Sequence, residues 1–103
     1  MSYDTDDFQK DVLEASRESP VLVDFWAEWC GPCKILGPVL ERLAEKNKDQ
    51  WKLVKLNTEQ YPQIAAQYGI RSIPNVKLFV DGEVINEFVG ALPEAAIEQW
   101  LKK

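Results

Sequence analysis

The chain has 103 residues, with 17 acidic against 12 basic side chains and a net charge of −5. That length suits one domain, residues 1–103, and a composition 46% hydrophobic and 28% charged is too apolar for a disordered chain. The acidic balance argues against nucleic acid or an anionic membrane as partner, since both call for basic patches. The absence of histidine excludes Ser–His and Cys–His nucleophile pairs and any histidine-ligated metal or haem.

Taken in chain order, the N-terminus has neither the basic stretch nor the apolar run of a secretory leader. No apolar run approaches the length of a membrane span. A soluble, cytoplasmic protein is the expectation. Thr5 is a good N-cap, and Asp6 and Asp7 suit the positive end of a helix. Phe8, Val12, Leu13 and Ala15 follow near helical spacing until Ser19-Pro20 stops the run. Val21-Leu22-Val23-Asp24-Phe25-Trp26 reads as a buried strand, apolar apart from one carboxylate. A long helix is expected from Gly31 to about Asn47, with Ile35, Leu36, Val39, Leu40 and Leu43 on one face and Pro38 inside it, where the missing N–H and the crowded preceding turn should kink it. Trp51–Asn57 is a second strand. A short helix carries Tyr61, Ile64, Ala65 and Tyr68 and ends at Gly69. Val76–Val80, Asp81-Gly82 and Glu83–Val89 form a hairpin signal. A last helix from about Pro93 carries Ala96, Ile97, Trp100 and Leu101. The order supports a parallel βαβ unit followed by an antiparallel hairpin, hence an α/β fold with a mixed sheet and helices on both faces.

The two cysteines of the chain stand three apart, in Cys30-Gly31-Pro32-Cys33, where a strand ends and a helix begins. One such pair is not the framework of a disulfide-stapled secreted protein. At that place the two can close a small ring. Cys30 faces the free N–H groups and positive dipole of the helix N-terminus, which favour its thiolate, the attacking species in disulfide exchange. Cys33, a turn further in and expected to be the more buried, suits the resolving role. Asp24 lies six residues before Cys30, and a charge in an apolar strand is costly unless its pKa rises or it finds a partner.

The segment Val21–Lys34, containing Trp29-Cys30-Gly31-Pro32-Cys33, resembles the active-site segment of thioredoxins. The similarity continues through Pro38, Lys55, Tyr68-Gly69-Ile70-Arg71-Ser72-Ile73-Pro74, Asp81-Gly82 and Val89-Gly90-Ala91-Leu92, and so covers nearly the whole chain. The resemblance implies a thioredoxin fold with a central mixed four- or five-stranded sheet, and a protein-disulfide reductase in which Cys30 attacks and Cys33 resolves. It implies that Asp24 lies under the pair and helps move the proton of Cys33, and that Lys55 approaches Asp24. It implies a cis Ile73–Pro74 bond facing the disulfide. Trp29, Gly31, Pro32, Ile73, Pro74, Val89 and Gly90 would form the flat surface that receives disulfide-containing client proteins, Gly90 allowing close backbone approach. Trp26, Trp51 and Trp100 are expected to be mainly packing residues. No cofactor of the chain's own is implied; electrons would come from a thioredoxin reductase, itself NADPH-dependent, and the protein would be a monomer.

Two features depart from the family pattern. Only Met1 to Asp4 precede Thr5, so the usual first edge strand is expected to be very short or missing. Asn75 stands where many thioredoxins have threonine, beside the client-facing loop. In addition, Gly90–Ile97 resembles the thioredoxin-like domain of bacterial tetratricopeptide holdases, which makes a chaperone domain the alternative function. An oxidase or isomerase of secreted proteins is disfavoured by Gly-Pro between the cysteines. A zinc site would need two copies, because one C-x-x-C supplies two of four ligands.

Overall fold

The computed structural model describes residues 3–102. It contains one four-stranded sheet in the order β2-β1-β3-β4, built from β1 (Val21–Trp26), β2 (Lys52–Asn57), β3 (Asn75–Val80) and β4 (Glu83–Val89). β1 pairs parallel with β2 and antiparallel with β3, and β3 pairs antiparallel with β4. Helices α1 (Gly31–Lys46), α2 (Pro62–Gln67) and α3 (Glu94–Leu101) and an N-terminal helical segment complete the order. The sheet is therefore mixed, as its sequence order implies. At the outer edge of β2, Asp4 makes one isolated parallel bridge to Lys55. Lys55 N–H donates to the Tyr3 carbonyl at 2.8 Å and Thr5 N–H to the Lys55 carbonyl at 2.9 Å. The short first edge strand is thus reduced to a single bridge; Met1 and Ser2, which belong to the same segment, lie outside the described residues.

Because side chains alternate along a strand, β1 sends Leu22 and Asp24 to one face and Val21, Val23 and Phe25 to the other. On the first face Leu22, Leu53, Val76 and Phe88 pack against Leu36, Leu40, Leu43 and Ala44 of α1 and Ile97 of α3. On the second, Val21, Val23, Phe25 and Phe79 pack against Val12 and Phe8 of the N-terminal segment and against Ile64, Tyr68 and Ile70 around α2. Leu22, Leu36, Leu40, Leu43 and Ile97 are wholly buried, each contributing about 1.5–3 kcal/mol of transfer free energy. The helices cover both faces.

The N-terminal helix differs from its expected form. It is a π-helical turn, Gln9–Glu14, running into a 3-10 turn, Ala15–Arg17. Asp7 rather than Thr5 supplies the cap: Lys10 N–H donates to Asp7 Oδ1 at 3.1 Å. Thr5 Oγ1 instead accepts from Asp7 N–H and donates to Asp11 Oδ2. Three cap-forming residues stand in a row here, and the last one wins because the second carboxylate, Asp11, satisfies Thr5. Three other boundaries shift by one: Trp51 is buried just ahead of β2, Asn75 opens β3, and Pro93 is the residue before α3 rather than its first.

α1 runs without a break through Pro38. α2 ends as Gly69 dictates: Gly69 has φ +64, its N–H donates to the Ala66 carbonyl, and Ile70 N–H donates to that of Ala65, the paired bonds of a Schellman cap. The β3–β4 hairpin turns on Asp81 and Gly82 with φ 53 and 79, the two left-handed positions of a type I′ turn. The turn is tied down by Ser16, whose Oγ accepts from Gly82 N–H at 2.8 Å. A bulge between Leu78 and Phe79 shifts the β3–β4 register and leaves Ile85 exposed, which alternation did not foretell.

Candidate active site

Cys30 occupies the N-cap of α1, with extended φ −89° and ψ 107°. Its Sγ accepts from the backbone N–H of Cys33 at 3.2 Å. Pro32 falls in the first turn, where its missing N–H costs nothing. The two cysteines form a disulfide with their Cα atoms 5.3 Å apart. The strand-to-helix junction thus places a sulfur at the positive end of a helix, within reach of the Cys33 N–H. Cys33 is not the more buried of the pair: the exposures are 3% for Cys30 and 4% for Cys33. Ala27 and Ile73 pack over Cys30, and Cys30 Sγ lies 3.7 Å from the Ile73 carbonyl oxygen. In the disulfide that sulfur carries no proton, so this is a contact; the reduced thiol has an acceptor there.

The Ile73–Pro74 bond is cis. Pro74 is buried and Ile73 half-buried against the cysteines, while the Pro74 carbonyl accepts from Gly90 N–H at 2.8 Å. Of the expected client surface, Trp29 is 69% and Val89 52% exposed, and Gly31 and Pro32 are exposed with them. The structure therefore packs Ile73 against the disulfide, leaves Trp29, Gly31 and Pro32 exposed in the segment that carries it, and joins Gly90 to Pro74 through a backbone bond. A Cβ built on Gly90 would meet no described atom beyond its chain neighbours within 4 Å, so its φ of +97, not crowding, is what demands glycine there. Asn75, next to Pro74, is buried and its Oδ1 has no hydrogen-bond partner.

Asp24 is fully buried, and neither carboxylate oxygen has a hydrogen-bond partner. It faces the side of the sheet that α1 covers with Cys33, Leu36, Gly37 and Leu40. Burial pushes its pKa up from 3.8 to about 7; Lys55 opposes that rise, and Asp4 and Glu41 add to it. Lys55 stands directly beside Asp24 in the parallel β1–β2 register, yet its ammonium does not pair with Asp24. Lys55 Nζ lies 3.1 Å from Glu41 Oε2 and 5.1 Å from the centroid of the Trp26 ring. Trp26 is more than packing: its indole N–H donates to Asp4 Oδ1 at 2.9 Å. Trp51 and Trp100 belong to the apolar cluster under α1.

Sequence reasoning missed Glu41, Gly37 and Asp4. A signal existed for two of them: Cys33, Gly37 and Glu41 follow each other at intervals of four, so they descend one face of the helix that bears the pair. Among the described residues no three His, Cys, Asp or Glu side chains are grouped to hold a metal ion, and no helix is long and apolar enough to cross a membrane.

Comparison with known proteins agrees with this geometry. The family model described as Thioredoxin matches residues 1–103. Thioredoxin 1 of Synechococcus elongatus is 49% identical over 96 residues, which is 93% of this chain and 88% of that protein. The chloroplastic M-type thioredoxin of Chlamydomonas reinhardtii is 50% identical over 98 residues, covering 95% of this chain and 69% of its own length. The thioredoxin of Rickettsia felis is 44% identical over 96 residues, 93% of this chain and 90% of its own.

Proposed function

We propose that this chain, which belongs to the thioredoxin family and is a protein-disulfide reductase, works through Cys30 as attacking thiolate and Cys33 as resolving thiol. The observation that supports this division is the placement of Cys30 Sγ at the N-cap of α1, accepting from Cys33 N–H at 3.2 Å. A thiolate there is stabilised by that donor and by the helix dipole. Cys30 attacks one sulfur of a client disulfide; the Cys30–client bond forms, the client S–S bond breaks, and one client thiolate leaves. Cys33 then loses its proton to the Asp24 carboxylate and attacks Cys30 Sγ. The Cys30–Cys33 bond forms, the Cys30–client bond breaks and the second client thiolate leaves. The client has gained two electrons and the pair has lost two. Asp24 suits the proton transfer because its midpoint, pushed up to about 7, lies near working pH.

The family implies a reductase and disulfide-bearing clients as partners. Our reading is finer: an NADPH-dependent thioredoxin reductase returns the two electrons, no cofactor is held by the chain itself, and a cytoplasmic monomer works with clients laid across Trp29, Gly31, Pro32, Ile73, Pro74, Val89 and Gly90. The chaperone alternative is not favoured. Insulin reduction coupled to NADPH through a reductase tests the cycle. Turnover by the wild type and none by Cys30→Ser are expected. A Cys33→Ser protein should accumulate a mixed disulfide at Cys30; accumulation at Cys33 in Cys30→Ser instead would reverse the assignment.

A further inference from the structure

Asp24 and Lys55 face each other across the β1–β2 register, and a buried carboxylate beside an ammonium would ordinarily pair with it. Here it does not. The ammonium of Lys55 is turned to Glu41, 3.1 Å away, and rests over Trp26. The reason is a competition for one cation. The Lys55 and Glu41 side chains retain 17% and 40% exposure, so their pairing keeps part of the hydration of both ions. Pairing with Asp24, at 0% exposure, would strip the ammonium of that water. Gly37, one turn before Glu41, leaves the space in which the lysine lies: a Cβ there would stand 3.2 Å from Lys55 Nζ.

We propose that Glu41 is a positioning residue that holds the Lys55 ammonium out of contact with Asp24, and so leaves the Asp24 carboxyl able to take and release a proton. The proposal rests on the role given to Asp24 above. The charged and titratable groups that bear on Asp24 are Lys55 from β2, Asp4 from the N-terminal segment and Glu41 from α1, with Cys33 of α1 in the disulfide; its β3 neighbour is the neutral Val76. Removing the Glu41 charge acts twice in one direction. It takes away an anion that disfavours the Asp24 carboxylate, and it frees a cation that favours it.

The test is a carbon NMR titration of the Asp24 carboxyl in the oxidised full chain, for Glu41→Gln in the wild-type background and in Lys55→Met. Glu41→Gln is expected to lower the midpoint by about one pH unit, and by less than half as much when Lys55 is absent. No downward movement, or equal movement in both backgrounds, overturns the proposal, because the charge of Glu41 would then act alone or not at all. The acid limb of the insulin-reduction rate should shift with the NMR midpoint in Glu41→Gln. Should Asp24→Asn leave that limb in place while the NMR midpoint still moves, the proton-carrying role of Asp24 falls and the positioning of Lys55 by Glu41 stands.

Discussion

Replacing Asp24 by asparagine should make the oxidised protein more stable at neutral and alkaline pH, and by an amount that depends on pH. The folded-state pKa of Asp24 is raised from 3.8 to about 7, so between these values the native protein holds a proton that the unfolded chain has released. Stability therefore falls as pH rises through that window, at up to ~1.4 kcal/mol per pH unit. Below the unfolded value both states are protonated and the penalty is absent; above the folded value both are ionised and it is complete. The rise of roughly three units amounts to about 4 kcal/mol at pH 8, a large share of the stability of a domain this size. Asparagine matches the neutral acid in shape and never ionises. Denaturant unfolding of wild type and Asp24→Asn from pH 4 to 9 should give nearly equal stabilities at pH 4, a gap that widens through pH 5 to 7, and a plateau of about 4 kcal/mol above pH 8. A gap independent of pH would refute the reasoning, since the ionisation of Asp24 would then carry no linkage.

Two other substitutions separate scaffold from surface. Leu40 is wholly buried between α1 and the sheet, so Leu40→Ala should cost about 3 kcal/mol and lower the melting temperature by on the order of 15 °C; a loss under 1 kcal/mol in denaturant unfolding would mean that the site collapses around the cavity. Trp29 is 69% exposed, so Trp29→Ala should change stability by no more than ~0.5 kcal/mol while raising KM for insulin several-fold; an unchanged KM would remove Trp29 from the client surface.

Most of the element order was legible because periodicity and punctuation agreed. Asp-Gly between the two strand-like runs of 76–89 gave the hairpin, Gly69 gave the end of α2, and the apolar run 21–26 gave a strand buried on both faces. The N-terminal helix was harder, because Thr5, Asp6 and Asp7 are all competent caps and only the side-chain pairing of Thr5 with Asp11 decides among them. Its π and 3-10 turns have no signature in spacing. At the site, the cysteine pair, the lone carboxylate of β1 and the proline loop were each visible in the chain. The partner of Lys55 was not: parallel register brings the lysine beside Asp24, but the choice of Glu41 depends on how much water each pairing removes, which is a property of the packed structure. The near-equal burial of the cysteines was hidden for a similar reason, as Ile73 covers Cys30 from 43 residues away.

The central claim, that Cys30 and Cys33 form a reductant of protein disulfides, is tested most directly by the reduction potential of the pair, measured by equilibration with glutathione or with a reference thioredoxin. A value near about −270 mV is expected, the figure that defines thioredoxin itself and is taken over from the family. A value near about −120 mV, that of a strong protein oxidant, would contradict the account, because the pair would then draw electrons from client thiols instead of giving them to client disulfides.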